Sequence, residues 1–383
     1  MKQNKDYLIT EKPSRALLIF SIPMIIGNLF QQAYTIVDSA IVGRYVGETA
    51  LAAVGASYSL TSIFICIAIG GGIGASVIIS HHFGAHNYGR MKTCIRTALL
   101  SFLFISLILG GIGLIFSQQI MEVLNTPADA IDIAVTYLNI YFLGLPFLFM
   151  YNILSSMFNA LGESRIPLYL LIFSSVLNIF LDLYMVAVLN LGVAGAAYAT
   201  FIAQGISAVL SLIIFVVTLQ QLQGKAEGWF SKTEFSDMSR IALPSILQQS
   251  TVSIGMMLVQ SVVNSFGTQI LAGFSAAMRI ESLCVVPMSA IGNAMSSYTA
   301  QNIGAEKEER ISQGYRAGNF MIIVIAAILC FFLEIAHKPL IALFLDNEPS
   351  AQTIVTGESY LKFIGFFFCM IGFKMAVDGI LRG

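Results

Sequence analysis

Long apolar runs without Asp, Glu, Lys or Arg limit what this sequence can fold into. There are eight such runs, at 16–37, 49–89, 97–121, 133–162, 183–224, 241–278, 282–305 and 317–333. A helix needs about 20 apolar residues to cross the hydrocarbon core of a membrane, so the longer runs hold more than one crossing or a crossing plus a loop. Charged residues make up 11% of the chain, too few to cover a soluble surface. The sequence therefore predicts an all-α integral membrane protein.

Gly, Pro, Asn and charged residues divide these runs into ten predicted membrane helices. Their expected bounds are 16–42, 54–80, 94–116, 134–158, 166–189, 193–219, 240–265, 272–299, 317–337 and 354–381. Below, these helices are called the first to the tenth span.

Basic residues predict the orientation, because loops on the cytoplasmic side of a membrane carry an excess of Lys and Arg. With the N-terminus in the cytoplasm, 15 of the 20 basic residues fall in inside segments, and only Arg44 and Lys338 fall outside. The inside residues are Lys2, Lys5, Lys12, Arg15, Arg90, Lys92, Arg96, Arg165, Lys225, Lys232, Arg240, Lys307, Arg310, Arg316 and Arg382. The sequence thus predicts a multi-pass protein with a cytoplasmic N-terminus.

An internal repeat relates the two halves of the chain. Residues 47–98 align without gaps to 267–318, and 11 of the 52 aligned pairs are identical. The pairs include Gly84 with Gly304 and Arg90 with Arg310. The repeat contains six helices, so both copies enter the membrane in the same direction, as in transporters built from parallel repeats.

The repeat predicts two helical lobes. We expect an N-terminal lobe of six helices at 1–223 and a C-terminal lobe of four helices at 224–383. Leu161-Gly162 of the first copy corresponds to Arg382-Gly383, where the sequence stops. The pattern therefore resembles a 6+6 architecture that lacks its last two helices.

Two carboxylates in the first six spans are candidate functional residues, because charged groups inside a membrane are costly. Tyr34 precedes Asp38 by four residues and Asn178 precedes Asp182 by four, so each pair shares a helix face. At a rise of 1.5 Å per residue, Asp38, Asp182 and Thr200 lie about 8, 12 and 10 Å from the outer ends of their helices. The sequence predicts one polar cluster if the first, fifth and sixth spans adjoin. Two carboxylates in a low-dielectric pocket resist being charged together, so they can exchange a proton. The alternative is that Asp38 caps its helix and Asp182 bonds to neighbouring backbone.

A second, weaker candidate is a polar cleft in the C-terminal lobe. Its residues are Gln248, Gln249, Gln260, Arg279 and Asp378. The alternative is that Arg279 with Glu281, and Lys374 with Asp378, form internal ion pairs that stabilise the lobe.

No metal or other cofactor is expected. The five cysteines lie within predicted helices at spacings that do not suit a metal site. A metal site at His81, His82 and His86 is disfavoured, because the second copy carries Gln301, Asn302 and Glu306 at those positions. The net charge of −1 provides no basic field for a nucleic-acid partner.

Several motifs resemble the multidrug and toxic compound extrusion (MATE) family of transporters, most closely its DinF-like bacterial branch. They are Tyr34-Thr35-Ile36-Val37-Asp38 followed by Gly43, Gly47 and Leu51-Ala52-Ala53-Val54-Gly55; Phe83-Gly84-Ala85; Phe158-Asn159-Ala160-Leu161-Gly162-Glu163-Ser164; Asn178-Ile179-Phe180-Leu181-Asp182; and Gln301-Asn302-Ile303-Gly304-Ala305. The resemblance extends over essentially the whole chain.

The resemblance implies two lobes that rock between inward and outward states and export cationic amphiphiles against inflowing H+ or Na+. It assigns cation or proton coupling to the predicted cluster, namely Asp38, Asp182, Asn178, Tyr34 and Thr200. It also matches Pro23, in the middle of the first span, to a proline at which the family's first helix bends. Expected partners are a drug or toxic metabolite and membrane lipids, with no nucleic acid, in a monomer of the bacterial cytoplasmic membrane.

Other functions are less consistent with these residues. A flippase for lipid-linked precursors, from the same broad superfamily, would favour a basic cleft for a pyrophosphate, whereas the predicted cleft is acidic. An enzyme would need a catalytic constellation, and the four histidines lie in loops or at a helix end. A channel does not use a rocking repeat.

Overall fold

The computed structural model describes residues 6–46, 48–124, 126, 130–342 and 350–383, and its described part is helical without a strand. A short helix, α1 (Tyr7–Thr10), precedes ten long ones. These are α2 (Pro13–Tyr45), α3 (Glu48–Gly84), α4 (Tyr88–Val123), α5 (Ile131–Ala160), α6 (Arg165–Asp182, continued by a π-helix at Leu183–Val188), α7 (Gly192–Gln220), α8 (Lys232–Asn264), α9 (Thr268–Gly304), α10 (Glu308–Ala342) and α11 (Ala351–Arg382).

Ten helices in the described part of the chain are long and apolar enough to cross a membrane, which confirms the ten predicted spans. The helices extend beyond most of the predicted bounds, because charged and polar turns continue the helical hydrogen bonding past the apolar core. For example, α4 begins at Tyr88, six residues before the predicted start of the third span.

The first and last residues of the helices repeat at or near the 220-residue offset of the sequence alignment. Both α3 and α9 contain 37 residues, and they begin and end 220 positions apart. The starts of α5 and α11 are also 220 positions apart, while α2 and α8 are offset by 219 at both ends. The fold is thus all-α with two helical sets in parallel repeat, α2–α7 and α8–α11.

The chain packs as two compact units whose limits differ from the repeat. One unit is 30–247 and the other combines 1–29 with 248–383. The first half of α2 therefore belongs to the second of these units, and the first half of α8 to the first. The lobes at 1–223 and 224–383 stay a prediction based on the repeat.

Close helix packing holds the unit 30–247 together. Its main core contains Ala75, Ile79, Phe158 and Phe215, each without exposed surface, and Met238 from α8. A Cβ atom at Gly74 would lie only 2.5 Å from the Met238 carbonyl oxygen, so α3 needs glycine there to approach α8.

The unit formed by 1–29 and 248–383 has its own apolar core. Leu8, Leu17 and Phe20, from α1 and α2, are fully buried against residues of α9 such as Met295 and Tyr298. Aromatic and aliphatic burial of this kind stabilises the position of the N-terminal segment.

Candidate functional site

The five side chains predicted to form the first polar cluster come from three helices of the unit 30–247. Tyr34 and Asp38 lie one turn apart on α2, Asn178 and Asp182 one turn apart on α6, and Thr200 lies on α7. Asp38 lies seven residues before the end of α2, so it does not occupy the capping position of the alternative interpretation. The helices bring these side chains together, and their role stays a prediction.

Asn178 is the centre of the cluster. It is 2% exposed, and the Tyr34 hydroxyl lies 2.7 Å from its amide. The amide orientation that satisfies all neighbours directs Nδ2 to the Tyr34 oxygen at 2.7 Å and to Asp182 Oδ2 at 2.8 Å. Its Oδ1 then accepts from the Thr200 N–H at 3.1 Å and from the Thr200 hydroxyl at 3.3 Å. Asn178 thus joins all three helices through one amide group.

Asp182 is fully buried, and only part of the hydrogen-bonding capacity of its carboxyl group is used. Its Oδ1 accepts no hydrogen bond from any donor among the described residues. The Asp38 carboxyl is close enough to Asp182 for the two groups to interact electrostatically. Two carboxyl groups in one buried pocket resist being charged together, because bare carboxylates repel strongly at low dielectric.

The backbone changes its winding directly after Asp182. Residues Leu183–Val188 form a π-helix, and the Leu189 N–H donates to the Tyr184 carbonyl at 3.0 Å, five residues back. Asn190 then takes a left-handed φ of 55°. Short π-helical segments are rare and occur frequently at functional sites, where they redirect side chains.

Tyr137 of α5 lies near the cluster, although sequence reasoning did not select it. It is partly buried, and it lies within electrostatic range of Asp38, Asp182 and Tyr34. One turn further along α5, the Tyr141 hydroxyl donates to the Thr61 carbonyl at 3.4 Å. The fourth span contains no charged residue, so nothing in its sequence distinguished Tyr137 from an ordinary aromatic.

A second polar cluster lies in the other unit and is ion-paired. Lys374 Nζ lies 2.5 Å from Asp378 Oδ2, which confirms the alternative of an internal ion pair there. Gln248 Nε2 donates to the same Asp378 oxygen at 2.8 Å, and Arg382 donates to Gln248 Oε1. Of the predicted cleft residues, Gln248 and Asp378 are thus brought together.

The role of the other three predicted cleft residues stays a prediction. Gln260 donates within α8 to Asn264, and no hydrogen bond between Gln249 and Asp378 is present among the described residues. Arg279 is exposed, and the described part of the chain contains no ion pair between it and Glu281. Glu281 instead accepts from the Tyr360 hydroxyl at 2.6 Å. The expected Arg279–Glu281 pair is therefore wrong, because the two positions face different directions on α9.

Within the described residues, no group of three or more His, Cys, Asp or Glu side chains could hold a metal ion. Instead, His82 Nε2 lies 3.0 Å from Glu234 Oε2. Pro23 lies inside α2, which runs from Pro13 to Tyr45, and its role as a hinge stays a prediction.

Solved structures share this fold. An outward-facing multidrug resistance MATE family transporter of the MOP superfamily aligns over 100% of this chain and 85% of its own, with a TM-score of 0.89 and 24% identity. A MATE protein in complex with MaD3S aligns over the same shares with a TM-score of 0.91 and 23% identity. At these identities the likeness concerns the fold alone.

Sequence comparisons identify the family. YpnP, a probable multidrug resistance protein of Bacillus subtilis (strain 168), is 33% identical over 369 residues, which cover 96% of this chain and 82% of YpnP. YoeA, another probable multidrug resistance protein of that strain, is 29% identical over 401 residues, covering 100% of this chain and 85% of YoeA. The DinF-like branch stays a prediction. A family model described as MatE matches residues 23–184 and 244–383, and the chain therefore belongs to this family of membrane transport proteins.

Proposed function

We propose that this chain is a cation-coupled antiporter that exports small organic compounds, chiefly cationic amphiphiles, by alternating access between its two lobes. The observation that carries the proposal is the fully buried Asp182 beside Asp38, with Asn178 bridging Asp182 to Thr200. Ionisable groups buried in membrane helices often mark ion and substrate pathways. The multidrug resistance named for YpnP and YoeA supports drugs as the exported compounds.

In this proposal, Asp38 and Asp182 share one transported proton or sodium ion. The pair is most stable when one positive charge lies between the carboxyl groups, which titrate together rather than separately. Asn178 already donates to Asp182 Oδ2, so Asp182 Oδ1 is the oxygen that remains available to the ion. Tyr34 and Thr200 supply hydroxyl oxygens that hold the pocket in shape or act as ligands.

Export against a gradient then follows from mutual exclusion of ion and drug. In the outward state, a proton or sodium ion from outside neutralises the acid pair and weakens its hold on a cationic drug. In the inward state the ion leaves, and the pocket regains affinity for the drug. A ligand shifts a conformational equilibrium only through its different affinity for the two states, and here both ligands compete for the same charge.

Helix α2 is the proposed link between the pocket and the lobe motion. Proline lacks the N–H that would bond to the preceding turn, so bending at Pro23 is easier than elsewhere in α2. A protonated Asp38 can donate a hydrogen bond, whereas its carboxylate can only accept, so the charge of Asp38 changes the contacts of the second half of α2. The proposed location is the bacterial cytoplasmic membrane with the N-terminus in the cytoplasm, as the distribution of Lys and Arg predicts.

The test is transport of ethidium by proteoliposomes under separately imposed proton and sodium gradients. We expect one of the two gradients to drive ethidium movement with the natural sequence, and the Asp38→Asn variant to show none. Asp132→Asn is the matched control, because Asp132 is an exposed acid in the first turn of α5. If Asp38→Asn moved ethidium at the wild-type rate under the gradient that drives the natural sequence, the proposal would be refuted.

A further inference from the structure

The turns α3–α4 and α9–α10 have the same backbone, 220 positions apart. Their left-handed residues are His86, with φ of 54°, and Glu306, with φ of 58°. The N–H groups of Ala85, His86 and Asn87 donate to the carbonyls of His81, Phe83 and His82, and those of Ala305, Glu306 and Lys307 donate to the carbonyls of Gln301, Ile303 and Asn302. Non-glycine residues rarely adopt this φ, so both copies of the repeat preserve one particular turn.

The α9–α10 turn binds the segment that leads into α2. Arg310 Nη2 donates to the carbonyls of Leu8, at 3.3 Å, and Glu11, at 2.6 Å. Lys307 Nζ donates to the Ile9 carbonyl at 3.0 Å, and Asn302 Nδ2 donates to the Leu8 carbonyl at 3.2 Å. Three side chains thus hold backbone carbonyls of the N-terminal segment, whose residue Leu8 is fully buried.

The α3–α4 turn binds the segment that leads into α8. Glu234 is 2% exposed, and its two oxygens lie 3.0 Å from His82 Nε2 and 3.1 Å from Arg90 Nη2. Lys92 Nζ donates to the carbonyls of Leu222, at 2.7 Å, and Gly224, at 2.8 Å. The N–H groups of Glu227 and Ser231 donate to the hydroxyls of Thr93, at 2.9 Å, and Thr97, at 3.0 Å.

Two pairs of equivalent residues take part in both sets of contacts. His82 corresponds to Asn302 and Arg90 to Arg310, and each turn binds the chain at the start of the other repeat copy, just before its first helix or in that helix's first turn. Each set of contacts lies inside one compact unit.

We propose that these two turns are twin peptide-binding sites that act as clasps, and that both must release their segments before the transporter can open toward their side. The proposal rests on the alternating-access function, and it adds which contacts close the predicted cytoplasmic side. If the two repeat copies separate on the cytoplasmic side, the segment before α2 moves with α2 and the segment before α8 moves with α8. Each segment then has to dissociate from the turn of the other copy. The two clasps therefore open together or not at all.

Hydrogen–deuterium exchange of the full chain in lipid nanodiscs tests this without substrate or gradient. Arg310→Ala removes the charged donor to Leu8 and Glu11, and a charged hydrogen bond contributes enough to predict roughly tenfold faster exchange in residues 7–11. The decisive expectation is that exchange at Glu227 and Ser231 also accelerates, although neither amide belongs to the mutated clasp. Glu234→Gln should likewise accelerate exchange in both segments.

Arg316→Ala is the matched control, because Arg316 is an exposed cation on the same helix, α10. If Arg310→Ala lowers folded yield, Lys307→Ala removes a single donor, to Ile9, and should show the same paired change at smaller size. Acceleration confined to the mutated clasp, no acceleration, or an equal effect of Arg316→Ala would overturn the proposal. The ethidium assay with Asp38→Asn fails or succeeds independently of this result.

Discussion

The two polar clusters inside the membrane helices differ in how their charge is balanced. In the cluster of α2, α6 and α7, two carboxyl groups lie close together, and no ion pair to either is present within the described residues. In the other cluster, Asp378 is neutralised by Lys374 and further bonded by Gln248. A carboxylate that is already paired with a lysine attracts a further cation only weakly, whereas two carboxyl groups without a cationic partner favour binding of a proton or a metal cation. From this difference we expect ion coupling at the first cluster and structural support at the second.

The largest expected difference is between the same Asp→Asn substitution made in each of the two clusters. Asp182→Asn should abolish gradient-driven ethidium export, because the amide cannot share an exchangeable proton or replace the charge. Asp378→Asn should retain most of the specific activity, with a lower yield of folded protein. Transport per folded molecule in proteoliposomes measures both, and equal loss in the two variants would remove the distinction between the clusters.

A smaller but still strong effect is expected from Asn178→Ala. The change leaves Asp182 Oδ2 without its donor and Thr200 without its acceptor, and each buried unsatisfied group costs about 1–3 kcal/mol. We expect a lower melting temperature and roughly tenfold slower export, which corresponds to about 1.4 kcal/mol. Asn152→Ala on α5 serves as a control, because among the described residues the Asn152 side chain donates to the Leu148 carbonyl of its own helix. An Asn178→Ala protein with natural stability and rate would contradict the bridging role.

Tyr137→Phe should have a modest effect. The change removes only a hydroxyl that lies within electrostatic range of the acid pair, so the ring still fills the same space. We expect about a two- to fivefold lower rate, since one polar contact of this kind is worth about 0.5–1 kcal/mol. Tyr169→Phe, at an exposed position of α6, should change nothing. If the two variants behave alike, Tyr137 does not belong to the functional cluster.

The smallest effect concerns the ion pair of the second cluster. Lys374→Gln breaks its link to Asp378, but the Lys374 side chain is 56% exposed, so its stabilising contribution is about 0–1 kcal/mol. Chemical unfolding should shift only slightly, and the coupling between ion gradient and export should remain. A loss of coupling in Lys374→Gln would show that the paired cluster also takes part in ion transport.

The sequence was most informative at residues whose burial in a membrane costs much free energy. The cost of a buried carboxylate singled out Asp38 and Asp182, and helical spacing added Tyr34 and Asn178 to the same faces. The spacing of the repeat also predicted that Arg90 and Arg310 occupy equivalent turns. These inferences depend on local periodicity and burial cost, which a single sequence contains.

Features that depend on tertiary packing were not predictable in the same way. Tyr137 lies near the cluster because α5 packs against α7, and the π-helix after Asp182 has no local signature. The alternative pairing of Arg279 with Glu281 was wrong, since hydropathy gives the depth of a helical residue but not the direction in which it faces. The segments bound by the α3–α4 and α9–α10 turns were likewise not foreseen, because contacts such as that between Leu8 and Arg310 join residues some 300 positions apart.

The central claim is that drug and coupling ion exclude each other at the Asp38–Asp182 pair. The most direct measurement is the affinity of the purified protein for ethidium, titrated against pH at fixed sodium and against sodium at fixed pH. We predict that acid or sodium weakens ethidium binding to the natural sequence, and that this competition disappears in Asp38→Asn while Asp132→Asn retains it. An Asp38→Asn protein whose ethidium affinity keeps the natural dependence on both pH and sodium would contradict the account.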